Sequence, residues 1–175
     1  MNLTKVALIK LTDFADGAIE SMVSAFMDTA REAGHQVAVT LAERDHVCSC
    51  GGCCGDEGCG DDDCLCTFSK EYVDIADVVV FAFPCDNDLR MSQLKHIVSK
   101  SVGKCSPSEK RVMLLSCSPS FDESIFVKVV EFFREVCFSL GWVYAGDALI
   151  EGLPDACEGG DPISKKKAIA LAKTI

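Results

Sequence analysis

The run VVVFAF from Val78 to Phe83, stopped by Pro84, is the segment that most restricts the fold. Six consecutive apolar residues, five of them β-branched or aromatic, do not alternate as a half-exposed strand would. They suit a central parallel strand covered on both faces. A strand of that kind needs helices above and below it, and the rest of the chain supplies alternating candidates. Lys5–Leu11 (KVALIKL) reads as a buried strand. Ile19, Met22, Val23, Phe26, Met27, Ala30 and Ala33 follow at helical spacing, and Gly34 ends that helix. Gln36–Ala42 reads as a second strand, and Ser69–Ala76 as a short helix. Ser92–Val102 is helical, and Arg111–Ser116 is a fourth strand. Asp122 caps a long helix carrying Ile125, Phe126, Val129, Val130, Phe133, Val136, Cys137 and Leu140, closed by Gly141. Trp142–Ile150 is a fifth strand and Lys165–Ala172 the last helix. Strand and helix thus alternate five times, which predicts a three-layer α/β sandwich. Its five-stranded parallel sheet has helices on both faces and right-handed crossovers. With 175 residues, 49% of them hydrophobic, and no internal repeat or long linker, residues 1–175 are expected to form one domain.

Seven of the twelve cysteines lie in CSCGGCCGDEGCGDDDCLC, between Cys48 and Cys66. A core of this size does not need disulfides. The N-terminal stretch lacks the long apolar run and cleavage site of a signal peptide, and no segment is apolar for long enough to span a membrane, so a cytoplasmic location is expected. In a reducing compartment, clustered thiols point to a metal or a redox centre. Thiolates a few residues apart converge on one iron–sulfur cluster or one zinc ion, and the intervening glycines let the backbone wrap around it. In parallel sheets, ligands sit beyond the carboxyl ends of the strands. The turns there are Thr12–Gly17, Arg44–Phe68, Pro84–Arg90 and Cys117–Phe121, so the cysteine loop at 44–68 lies on the rim where a cofactor would bind. A formal net charge of −10 argues against nucleic acid as a partner.

Three stretches carry a family resemblance: the cysteine loop directly after the second strand, FAFPCDNDLRMSQLKHIVSK, and the helix ending EFFREVCFSLGW. Together they resemble the iron–sulfur flavoproteins, within the NADPH-dependent FMN reductase group of flavodoxin-like proteins. The resemblance implies a flavodoxin-like fold, FMN, a 4Fe–4S cluster and electron transfer, with NAD(P)H-dependent oxidoreductase activity in view. It implies a redox partner protein or a small-molecule acceptor, and a homo-oligomer. Cys50, Cys53 and Cys59 match the last three cluster ligands of the family. Cys48 stands one residue late for the first, and Cys54 could replace Cys53. Cys64 and Cys66 have no counterpart. The FMN site would involve Thr12 and Gly17 at the phosphate. Pro84, Cys85, Asp86, Asn87, Asp88, Leu89, Cys117 and Ser118 would border the ring. Cys85 and Cys117, ending adjacent strands, are expected to point into one crevice region, as buried thiols or as ligands of a second centre.

The phosphate loop LTDFADGAIE departs from the family. A phosphate needs backbone N–H groups at a helix start with hydroxyls or a cation beside them. Asp13 and Asp16 oppose it instead, and no Arg, Lys, Ser or second Thr lies between Leu11 and Ser21. The residues therefore leave open a second reading, a flavin-free scaffold that binds a metal or cluster as carrier, sensor or docking module. A zinc site that ties down a long loop is a third.

Overall fold

The computed structural model describes residues 3–11, 17–41, 72–85, 109–119, 121, 123–152 and 162–175. Among them are strands β1 (Lys5–Lys10), β2 (Gln36–Leu41), β3 (Val78–Pro84), β4 (Arg111–Cys117) and β5 (Val143–Ile150). The helices are α1 (Ala18–Glu32), α2 (Glu123–Leu140) and α3 (Pro162–Ala172), with one helical turn at 72–75. The expected helix at 92–102 and the cysteine loop lie outside the described residues.

All four strand pairings are parallel, in the order β2-β1-β3-β4-β5. β3 is central, and every one of its residues is buried. Pro84, expected to stop this strand, is its last residue and stands level with Cys117 of β4. Side chains alternate across the sheet and build two core layers. Val6, Leu8, Val78, Val80, Ala82, Met113 and Leu115 pack under α1 and α3. Ala7, Ile9, Val79, Phe81, Val112 and Leu114 pack under α2 and the turn at 72–75. On that second face the Phe133 ring of α2 packs tilted against Phe81 and stacked on Phe83, with ring centroids 5.0 and 6.2 Å apart.

Both long helices stop where their glycines predict. At the end of α2, Gly141 takes φ 67°, which a residue with a Cβ adopts only under strain. That turn lets the Trp142 N–H donate to the Cys137 carbonyl (2.8 Å) and buries Trp142 next to Cys137 in the core. Beneath it, Lys110 is only 2% exposed. Its ammonium donates to the carbonyls of Asp74 (2.9 Å) and Ala76 (2.8 Å) and lies 6.0 Å from the centre of the Trp142 ring. Lys110 thereby ties the turn at 72–75 to the bases of β4 and β5. Among the described residues, no helix is long and apolar enough to cross a membrane.

Candidate cofactor site at the carboxyl edge of the sheet

The strand order reverses direction at β1 and β3: the chain leaves β1 for β2 on one side, then returns to place β3 on the other. In doubly wound sheets such a switch opens a crevice beyond the strand ends. The pairing continues one residue past each strand there. The Leu11 N–H donates to the Ala82 carbonyl (2.9 Å), that of Cys85 to Cys117 (2.7 Å), and that of Ser118 to Ile150 (2.8 Å). The Ser116 hydroxyl donates to the Phe83 carbonyl (2.7 Å). Leu11, Cys85 and Ser118 are therefore tied to the sheet by backbone hydrogen bonds, although they lie outside its strands.

α1 begins beside this edge. Its N-cap is Gly17, with φ 138° and ψ −171° and no side-chain cap. The first intrahelical bond runs from the Ser21 N–H to the Gly17 carbonyl (3.1 Å), so the N–H groups of Ala18, Ile19 and Glu20 have no partner within the helix. Their dipoles add up to a site of partial positive charge. The Ser21 hydroxyl is buried in the same first turn, with no hydrogen-bond partner. Lys10, the last residue of β1, forms an ion pair with Glu20 across this turn. The alternation of β1 could have revealed that lysine: Lys10 has the parity of Val6 and Leu8, which face α1.

Of the residues singled out in the sequence, Gly17, Pro84, Cys85, Cys117 and Ser118 all fall on this edge. Cys85 and Cys117 do not share a crevice. Cys117 is level with Pro84, so Cys85 is one residue out of step with it and points to the opposite face. Cys117 packs in the layer under α1 and α3, and Cys85 in the layer under α2. Both are buried thiols, as is Cys137, and none of the three is in a disulfide. Burial pushes the Cys137 thiol up to about 11, which makes it a poor nucleophile. Thr12, Asp86, Asn87, Asp88, Leu89, Cys48, Cys50, Cys53 and Cys59 lie outside the described residues. Among the described residues, no three His, Cys, Asp or Glu side chains gather where they could hold a metal ion.

The polar groups that the described residues bring to this edge include backbone amides, serine hydroxyls, the buried and unpartnered hydroxyl of Thr40 near the end of β2, and one lysine–glutamate pair. Such a set can hold the anionic end of a ligand. It contains no nucleophile–base pair of its own.

Solved structures share this architecture. An azoreductase from Bacillus anthracis str. Sterne superposes with a TM-score of 0.65 at 15% identity, covering 98% of each chain. Flavodoxin 2 from Bacillus cereus gives 0.63 at 13%, covering 97% of this chain and 96% of its own. An NAD(P)H:quinone oxidoreductase from Methanothermobacter marburgensis gives 0.61 at 13%, covering 98% and 95%. No protein-family model matches the sequence, and no curated protein matches it. At these identities the likeness is one of architecture: the chain has a flavodoxin-like fold.

Proposed function

We propose that this protein is an electron-transfer flavoprotein, with FMN across the carboxyl edge of the sheet and a 4Fe–4S cluster in the loop after β2. The observation that carries the flavin is the start of α1 at the strand-order switch. Three amide donors unpaired within the helix, a glycine cap and a buried hydroxyl without a partner suit a phosphate. Gly17 and the amides of Ala18–Glu20 would hold that phosphate, with Ser21 beside it. Pro84, Cys85 and Ser118 would border the ring through backbone groups. When bound, FMN supplies exchange of one or two electrons, and the protein contributes placement and electrostatics. The names of the architectural neighbours, an azoreductase, a flavodoxin and a quinone oxidoreductase, agree with this chemistry.

The cluster rests on the sequence. Cys50, Cys53 and Cys59, with Cys48 as the fourth thiolate, form a compact soft donor set. Their loop leaves the sheet at Leu41, the carboxyl end of β2, beside β1. A centre held there would lie on the same side of the sheet as the flavin. A redox protein or a small-molecule acceptor completes the reading, with NAD(P)H as a candidate donor.

A second reading, a flavin-free scaffold that carries the cluster alone, is favoured by the charge at the helix start. Lys10 is already paired with Glu20, and Asp13 and Asp16 add negative charge. Protein purified without oxygen separates the two. The proposal expects iron, acid-labile sulfide and FMN together, with flavin bands over broad brown absorbance. Iron and sulfide without flavin, and no uptake of added FMN, would establish the second reading. Neither iron nor sulfide would remove the cluster from both.

A further inference from the structure

We propose that Lys10 supplies the cation that the loop before α1 lacks, and that Glu20 holds this lysine in place until the phosphate of the ligand takes it over. This role rests on the flavin reading above. Between Leu11 and Ser21 the sequence offers a phosphate no Arg or Lys. Lys10 stands just before that stretch, at the end of β1, in register with Leu41 of β2 and Ala82 of β3. It has the parity of Val6 and Leu8, so its side chain runs under α1, where it is only 15% exposed. Its ammonium reaches the carboxylate of Glu20 in the first turn of that helix. Glu20 is the third residue of α1, and its amide is one of the three without a partner in the helix. The ion pair thus sets a positive charge beside the helix start.

Stability alone does not account for this pair. A lysine covered to such an extent is uncommon. The cost of taking its charge out of water is offset only in part by one carboxylate that is itself 36% exposed. An apolar residue would fill the same space under α1 without that cost. An ammonium also has three N–H donors. Among the described residues Lys10 uses them on Glu20 alone, which leaves donors for an incoming oxygen. The Ser21 hydroxyl, next in the chain, is buried and has no partner. Amides, hydroxyl and ammonium together suit more negative charge than Glu20 brings. A phosphate monoester carries a charge of about −1.5 to −2 at neutral pH and three strong acceptor oxygens. It can draw the ammonium from a single carboxylate while accepting from the amides of α1. Until then Glu20 keeps the ammonium neutralised and turned toward the helix. A ligand without a phosphate gains nothing from Lys10, so the lysine determines specificity.

Titrations of the full chain with FMN and with riboflavin, read by flavin fluorescence, test both roles. The quantity to compare among variants is the ratio of the two affinities, which general damage to the fold would not move selectively. Lys10→Met should lower the preference for FMN over riboflavin about tenfold, the worth of one partly exposed, charge-assisted contact. Lys10→Arg keeps the charge and should retain most of that preference. Glu20→Gln frees the lysine and removes a like charge from the phosphate, so the preference should rise about five- to tenfold. In Lys10→Met/Glu20→Gln most of that rise should vanish, because there is no ammonium left to free. Circular dichroism checks that each variant is folded. A preference for FMN that Lys10→Met leaves unchanged overturns the role of Lys10 and leaves the flavin reading intact. A Glu20→Gln variant that prefers FMN no more strongly than the natural chain overturns the role of Glu20. Equal binding of the two flavins by the natural chain removes the phosphate site itself, and the assignment of Lys10 falls with it. Failure of both the natural chain and Glu20→Gln to bind FMN has the same consequence.

Discussion

Replacing Lys110 with methionine tests whether long-range capping holds the base of the sheet together. Methionine keeps most of the length and apolar volume of the stem but removes the ammonium. The carbonyls of Asp74 and Ala76 then lose donors at 2.9 and 2.8 Å, and the Ala76 bond is wholly buried. Hydrogen bonds from a charged group contribute roughly 1.5–3 kcal/mol each, and the variant no longer has to hold a charge out of water, which offsets part of that loss. The expected net loss is about 2–4 kcal/mol. For a chain of this size, that corresponds to a fall of roughly 5–15 °C in Tm. Urea unfolding is the assay, followed by circular dichroism and by the fluorescence of Trp142, the only tryptophan and a neighbour of the ammonium at 6.0 Å. The midpoint should fall with little change in slope. A loss below about 0.5 kcal/mol, with native Trp142 emission, would refute the capping argument.

Three further outcomes are expected. Gly17→Ala forces a side chain into a backbone region that is essentially reserved for glycine, at a cost of about 1–3 kcal/mol. It should weaken FMN binding, read by flavin fluorescence, at least about tenfold while leaving the iron absorbance unchanged. Cys53→Ser and Cys59→Ser should each remove the brown chromophore and Cys137→Ser should preserve it; identical behaviour of all three would discredit the ligand assignment. Cys137, raised from 9.0 to about 11 by burial, should resist iodoacetamide at pH 8 in the native protein and react once urea is added. Its proton is bound more tightly in the folded state. The stability it contributes is therefore complete below pH 9 and is lost as pH climbs toward 11, and urea midpoints should fall over that window.

The sheet was legible in the sequence because each strand is an apolar or β-branched run between breakers, and each long helix ends at a glycine. α3 begins at Pro162 and not at Lys165 as expected. Proline is favourable in a first turn, and the consecutive lysines Lys165–Lys167 hide the apolar spacing there. The edge that gathers Gly17, Pro84, Cys85, Cys117 and Ser118 followed from topology alone. The faces of Cys85 and Cys117 did not, because the face depends on register, and a shift of one residue reverses it. Lys110 carried no local signal, since its acceptors lie 34 and 36 residues away. The apolar spacing of α2, by contrast, was legible: it singled out Phe126, Val129, Phe133 and Cys137, which are buried, and left out Val127 and Phe138, which are exposed.

The claim on which the functional account depends is that the first turn of α1 receives a flavin phosphate. Titration of the protein with FMN and with riboflavin, which lacks the phosphate, tests it directly. The account predicts that FMN fluorescence changes on saturable binding and that riboflavin binds at least about tenfold more weakly, as expected when a phosphate on a helix start is lost. Equal affinity for the two flavins, or no binding of either, would contradict it.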